Sequence, residues 1–188
     1  MVRPGREKLS GVVEVDETYV GGEDPKDGTW IEQKAIVVIA AEEDGRGIGR
    51  IRMASVPKRT RRQLHRFVQE MIETGSVVHS DGLHAYRGLD ALGYEHRKTV
   101  LSRQKKGAAS QLLPRVHRVA SLLKRWLLGT HQGAVSSEHL DYYLDEFTFR
   151  FNRRTSRSRG KLFYRLLQQA VEIPPTTYQT MIGGTGRD

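Results

Sequence analysis

The segment 11–20, GVVEVDETYV, alternates: Val13 and Val15 fall on one face, and Glu14, Asp16 and Thr18 on the other. This period-two pattern predicts a strand whose polar face is either wet or functional. Gly21, Gly22 and the stretch EDPKDG predict a loop. The run KAIVVIAAE (34–42) is continuously apolar, as in a strand buried on both faces. After EDGRG (43–47), the segment IGRIRMASV (48–56) alternates again. Three such runs joined by short turns predict an antiparallel meander.

The periodicity then changes. Thr60 is placed to cap a helix over 61–73, whose apolar stripe is Leu64, Phe67, Val68 and Met71 and which Gly75 stops. Ser76–His79 reads as a short buried strand with Asp81-Gly82 just beyond its carboxyl end. A short helix over 83–92 and a strand near 94–100 follow. Residues 102–112, SRQKKGAASQL, read as a mobile loop. Pro114 opens a helix over 115–128, with Val116, Val119, Ala120, Leu123 and Leu127 on its buried stripe and Gly129 at its end. A longer helix near 137–152 carries Leu140, Tyr143, Leu144, Phe147 and Phe151 at helical spacing, and a last helix spans 161–171 before Pro174-Pro175. Strands and helices in this order predict an α/β fold with a mixed sheet. There is no internal repeat and no linker. The expected organisation is a lead-in over 1–10, one domain over 11–172 and a tail over 173–188.

Composition narrows the chemistry. With 188 residues, 37% hydrophobic and 28% charged, the chain suits one globular domain. No apolar run is long enough to span a bilayer, and MVRPGREKLS has no signal-peptide core, so a cytoplasmic protein is expected. The absence of cysteine excludes disulfides and thiolate zinc sites and leaves Asp, Glu and His as metal ligands, a set that suits Mg2+ or Mn2+. Thirty-one Lys and Arg against 22 Asp and Glu, a net charge of +9, favours a polyanion such as nucleic acid as partner.

Taken one at a time, the candidate residues are ordinary. Asp16 lies mid-strand on the polar face, where it is either solvated or holds a metal. Asp81 follows an apolar strand, where ligands of α/β sheets gather, but Asp before Gly is also a turn signal. His117 lies in the first turn of its helix, with Ser121 and Lys124 on the same face, opposite the apolar stripe. The order carries more than the parts: an Asp on the first strand, an Asp after the fourth, and a polar ligand on a later helix, with 35 residues between Asp81 and His117.

That arrangement resembles the D-D-E pattern of transposases and retroviral-type integrases. VEVDETYVGG (13–22), VVHSDGLHAYRGL (77–89), LLKRWLLGTHQGAVS (122–136) and HLDYYLDEFTFRFNRR (139–154) look like the ISXO2-like transposase domain of bacterial insertion sequences, over roughly residues 8–172. The resemblance implies a ribonuclease-H-like fold, a mixed five-stranded sheet flanked by helices. It implies metal-dependent phosphodiester hydrolysis and DNA strand transfer in insertion-sequence mobility, on transposon ends and target DNA, by a homo-oligomer associated with the nucleoid. Asp16 and Asp81 match the two metal-binding aspartates, and Lys124 matches a lysine seven positions after the third catalytic residue. That third position falls on His117, where relatives commonly carry Glu or Asn; an imidazole also ligates divalent metals. Asp16, Asp81 and His117 are thus the expected metal ligands, for Mg2+ or Mn2+. Lys124 is expected on a DNA phosphate, and two metals roughly 3.5–4 Å apart would suit in-line attack.

The tract Arg150, Arg153, Arg154, Arg157, Arg159 and Lys161, with Arg103, Lys105 and Lys106, forms a candidate phosphate track. Glu138 and Glu146 are rival third ligands, although Glu146 is also spaced for an ion pair with Arg150. Relatives usually carry a zinc ribbon or helix-turn-helix before this domain, and its absence before MVRPGREKLSG is expected to leave a truncated chain without end recognition. Two other functions are open at this point: a nuclease without strand transfer, and a decayed, sequence-independent DNA-binding protein.

Overall fold

The computed structural model describes residues 7–21, 34–99, 112–131 and 139–172. The elements in chain order are β1 (Val12–Val20), β2 (Ala35–Asp44), β3 (Gly47–Val56), α1 (Arg61–Met71), β4 (Val77–Asp81), β5 (Glu95–Thr99), α2 (Pro114–His131), α3 (Leu140–Asn152) and α4 (Arg159–Glu172). The first three strands form the expected antiparallel meander. β4 then crosses over through α1 to lie parallel to β1, and β5 lies parallel to β4. The five-stranded order β3-β2-β1-β4-β5 places β1 at the centre. This mixed sheet flanked by helices is the ribonuclease-H-like fold.

Both faces of the sheet are covered. On one, Val13, Val15, Val38 and Ala40 pack with Leu64, Phe67 and Val68 of α1. On the other, Val37, Ile39, Ile51 and Met53 meet Val119 and Leu123 of α2 and Leu144 and Phe147 of α3. The central position of β1 overturns the wet-face alternative for its polar side: Glu14 and Thr18 are buried, only 1% and 9% exposed. At the outer edge, α3 lies against β3. Asn152 accepts from the Ile51 N–H at 2.8 Å and donates to its carbonyl at 3.1 Å, while Asp141 accepts from the Ser55 N–H. Side chains of α3 therefore occupy backbone groups of an edge strand that would otherwise offer itself to another chain.

Several boundaries differ from the periodicity for local reasons. Thr60 caps α1 as expected, accepting from Gln63 N–H. The helix stops at Met71 rather than near Gly75, because Ile72 turns extended and bridges to Leu9: Leu9 N–H donates to Met71 O at 2.8 Å and Glu73 N–H to Leu9 O at 2.7 Å. The expected helix over 83–92 is instead two single 3-10 turns, His84–Tyr86 and Asp90–Leu92, with Gly88 between them at φ +89°. Gly93, at φ +87°, is required: a Cβ there would meet Thr74 Cγ2 at 2.7 Å. α2 runs through Gly129 to His131, whose ring contacts Trp126 and Tyr143 with centroids 4.9 and 4.5 Å away. These aromatic contacts offset the roughly 1 kcal/mol that a glycine costs inside a helix. α3 begins at Leu140, with His139 as its N-cap, and residues 137 and 138 of the expected helix lie outside the described ones. Among the described residues no helix is long and apolar enough to cross a membrane.

Candidate active site

The site is organised by three acidic residues of the central strand, Glu14, Asp16 and Glu17. Glu14 and Asp16, two apart, share the face beneath α2, roughly 6.5 Å from each other along the strand. Glu17 points to the opposite face.

Glu14 holds α2 in place. Its Oε2 accepts the backbone N–H groups of Arg115 and Val116 at 2.8 and 3.0 Å, and its Oε1 accepts from Arg115 Nη1 at 2.9 Å. A buried carboxylate thus satisfies N–H groups that the first turn of a helix leaves unpaired, and its charge suits the positive end of the helix dipole. Arg115 is pinned further by Glu43 at 2.6 Å and by the carbonyls of Gly45 and Gly47. One consequence is the position of His117, one residue beyond this anchor: its Nε2 lies 3.7 Å from Asp16 Oδ2.

Asp81 ends β4. The parallel register pairs Val15 with Ser80, so the next positions set Asp16 beside Asp81 on the same face. Asp81 Oδ1 accepts the Leu83 N–H at 3.0 Å, a turn that fixes the carboxyl at the strand's end. Burial raises the Asp16 carboxyl from its ordinary value; the Glu17 N–H bond (2.8 Å) opposes this, Asp81's charge adds to it, and His117 and Arg59 counter it. Across the strand, Glu17 accepts a hydrogen bond from the buried Tyr86 hydroxyl, yet burial and the neighbouring Asp16 and Asp81 charges still push its carboxyl up to about 7. The same surroundings push the Tyr86 hydroxyl upward.

Asp16 and His117 therefore approach each other, and Asp81 joins them through the adjacent strand. Among the described residues no three His, Asp or Glu side chains stand in ready-made ligand spacing. The donor chemistry nevertheless fits a hard divalent cation: two carboxylates and an imidazole, no thiolate, and mutual repulsion between the carboxylates that a cation would offset.

The other predicted residues are distributed more widely. Lys124 is exposed on α2, seven positions after His117 on the same stripe, and Ser121 Oγ donates to the His117 carbonyl between them. Arg150 pairs with Glu146 at 2.7 Å on α3, which packs on β3, so the rival carboxylate is engaged within its own helix. Arg153 lies over the Phe149 ring at 3.9 Å. Arg154 lies over Phe151 at 4.0 Å and donates to the carbonyls of Phe151, Gly49 and Ile48, which makes it a strut between α3 and β3. It also lines a polar cleft of about 480 Å³ with Glu42, Arg50 and Asn152, a cleft that Asp16, Asp81 and His117 do not line. Arg157 and Lys161 are exposed. Arg103, Lys105, Lys106 and Glu138 lie outside the described residues.

Sequence reasoning missed Glu14, Glu17, Tyr86 and Arg115. Glu14 carried a usable signal, since it shares a strand face with Asp16. Its helical partners lie 101 and 102 positions away, which no local pattern reports.

The strand order β3-β2-β1-β4-β5, an antiparallel meander continued by two parallel strands and flanked by helices, is that of α/β proteins of the ribonuclease-H-like class. The family described as ISXO2-like transposase domain matches residues 8–152, and the chain belongs to that family. Among solved structures, it is similar to the catalytic core domain of BIV integrase, with a TM-score of 0.47 and 18% identity over 87% of this chain and 98% of that one. It is also similar to a chain of the simian T-cell lymphotropic virus intasome in complex with PP2A regulatory subunit B56 gamma, with a TM-score of 0.49 and 12% identity over 84% of this chain and 57% of that one. No curated protein matches the sequence.

Proposed function

We propose that residues 11–172 are the catalytic domain of a DNA transposase that hydrolyses a phosphodiester at an element end and joins the freed 3′ end to target DNA. Membership of the ISXO2-like transposase domain family supports the class of reaction. The observation that carries the site is the meeting of Asp16 with His117 at 3.7 Å beside Asp81.

In this reading Asp16, Asp81 and His117 hold Mg2+ or Mn2+. The chemistry such a cation supplies is Lewis-acid activation of an attacking water or 3′-hydroxyl and stabilisation of the leaving oxygen. Asp16 and Asp81 repel each other when both are ionised, so the pair takes up positive charge readily. His117 adds a nitrogen donor whose position Glu14 fixes through the first turn of α2. Lys124, exposed two helical turns away, holds a strand phosphate. Arg150, Arg153, Arg154 and Arg157, with Lys105 and Lys106, extend the contact to DNA, part of it through arginines that also brace α3. A homo-oligomer on DNA is the corresponding assembly in this reading. In hydrolysis, water oxygen bonds to phosphorus as the bond to the 3′-oxygen breaks. In joining, the new 3′-hydroxyl takes water's place.

The test uses labelled element-end DNA, unprocessed and pre-cleaved, with Mg2+ or Mn2+. Wild type is expected to nick the first and join the second to target DNA. Asp81→Asn is expected to do neither while binding DNA normally. Nicking without joining would reduce the reading to a nuclease, and equal cleavage by Asp81→Asn would overturn it.

A further inference from the structure

Beside the carboxylates, on the α1 side of the sheet, lies a pair of side chains that nothing above uses. Tyr19 follows Asp16 by three residues on β1 and Glu17 by two, so it shares the face of Glu17 toward the strand's carboxyl end. Tyr19 is 43% exposed, although it belongs to the central strand of a covered sheet. Arg59, from the loop between β3 and α1, lies over that ring with its guanidinium carbon 5.5 Å from the centroid. Arg59 is exposed, and among the described residues no carboxylate forms an ion pair with it. It is nonetheless close enough for its charge to act on both Asp16 and Glu17.

We infer that Arg59, steadied over Tyr19, is a phosphate clamp that grips the DNA backbone next to the reacting phosphodiester. The inference rests on the proposed transposase reading and adds to it a specific contact. Three acids, Asp16, Glu17 and Asp81, crowd this end of the sheet and repel a phosphate chain. A strand can approach them only where cations offset that field. Lys124 supplies one on the α2 side, and Arg59 supplies the other on the α1 side. Contact with an aromatic ring uses the face of a guanidinium and leaves its in-plane N–H donors for a phosphate, which they match in fork geometry. The ring also limits the freedom of the arginine, so less entropy is lost when the phosphate arrives. A duplex or branched DNA end is the occupant this chemistry selects, because the contact reads backbone charge and no base edge.

The experiment measures binding of a fluorescein-labelled DNA duplex by anisotropy across a salt series, with metal chelated, for wild type, Arg59→Ala, Arg59→Lys and Tyr19→Ala. Arg66→Ala, which alters an exposed α1 arginine paired with Glu70, is the control. Arg59→Ala is expected to weaken binding on the order of tenfold, the scale of one charge-assisted hydrogen-bonded contact. It should also flatten the logarithmic salt slope by about 0.9, the loss of one phosphate contact. Arg59→Lys should keep the slope and lose affinity, because it retains the charge without the fork. Tyr19→Ala should lose less than Arg59→Ala, and thermal melting confirms that each variant is folded. An Arg59→Ala slope equal to those of wild type and Arg66→Ala overturns the clamp. Because the chain has no cysteine, Arg59→Cys supplies a single thiol for cross-linking to a thiol-tethered backbone phosphate; cross-linking no better than that of Arg66→Cys overturns the clamp as well. The two readings fail separately: Asp81→Asn cleaving like wild type sinks the transposase site whatever Arg59 does, whereas an inactive Asp81→Asn with an unchanged Arg59→Ala slope sinks the clamp alone.

Discussion

At the scale of single residues, the site is a concentration of negative charge held by burial. Glu17 illustrates the consequence for stability. Its carboxyl lies at about 7 in the fold against an ordinary value of 4.5. Between those values the folded chain binds more protons than the unfolded one, so stability falls as pH rises through that window. Its contribution is fully present below about 4.5 and lost above about 7. Asp16 is shifted in the same direction. Glu17→Gln removes the titration and keeps an amide oxygen for the Tyr86 hydroxyl. The variant should melt at a higher temperature than wild type at pH 8 and show a flatter dependence between pH 4.5 and 7, with metal chelated throughout. Parallel melting curves for the two proteins across that range would contradict the assignment.

At the scale of elements, one strand sets both the carboxylate that meets His117 and the anchor of the helix that faces it. Glu14 ties the first turn of α2 to β1, and two residues later Asp16 meets His117 of that turn. Removing Glu14 leaves two helix N–H groups and the Arg115 guanidinium without their buried acceptor. Glu14→Ala should therefore cost about 3–5 kcal/mol in urea unfolding, the scale of a buried ion pair deprived of one partner. A loss below about 1 kcal/mol would show that the anchor is replaceable. This link was not legible in the sequence, because alternation reports which face a residue takes and not what covers it. Helix ends were partly legible for the same kind of reason: Thr60 announces α1, but the early stop at Ile72 depends on Leu9, and the passage of α2 through Gly129 depends on rings of Trp126 and Tyr143. The positive-φ Gly88 explains why the apolar residues of 83–92 form two turns rather than a helix.

At the scale of the molecule, the meander and the apolar stripes of the helices could be read from periodicity, because burying them is what selects those elements. The strand order could not, since it depends on which edge β4 chooses after α1. Placing β4 beside β1 rather than beside β3 is what brings Asp81 to Asp16. The same order puts α3, with Glu146 and Arg150, over the opposite edge of the sheet. The proposed function requires Asp16, Asp81 and His117 to form one reactive centre, with His117 rather than Glu146 as third member. Its most direct test is cleavage of labelled element-end DNA by His117→Ala and Glu146→Ala side by side, in Mg2+ and in Mn2+, with DNA binding measured in parallel. His117→Ala is expected to lose cleavage and keep binding, while Glu146→Ala cleaves within a few-fold of wild type, its loss being that of an exposed helix ion pair. A His117→Ala variant that cleaves like wild type, beside an inactive Glu146→Ala, would contradict it.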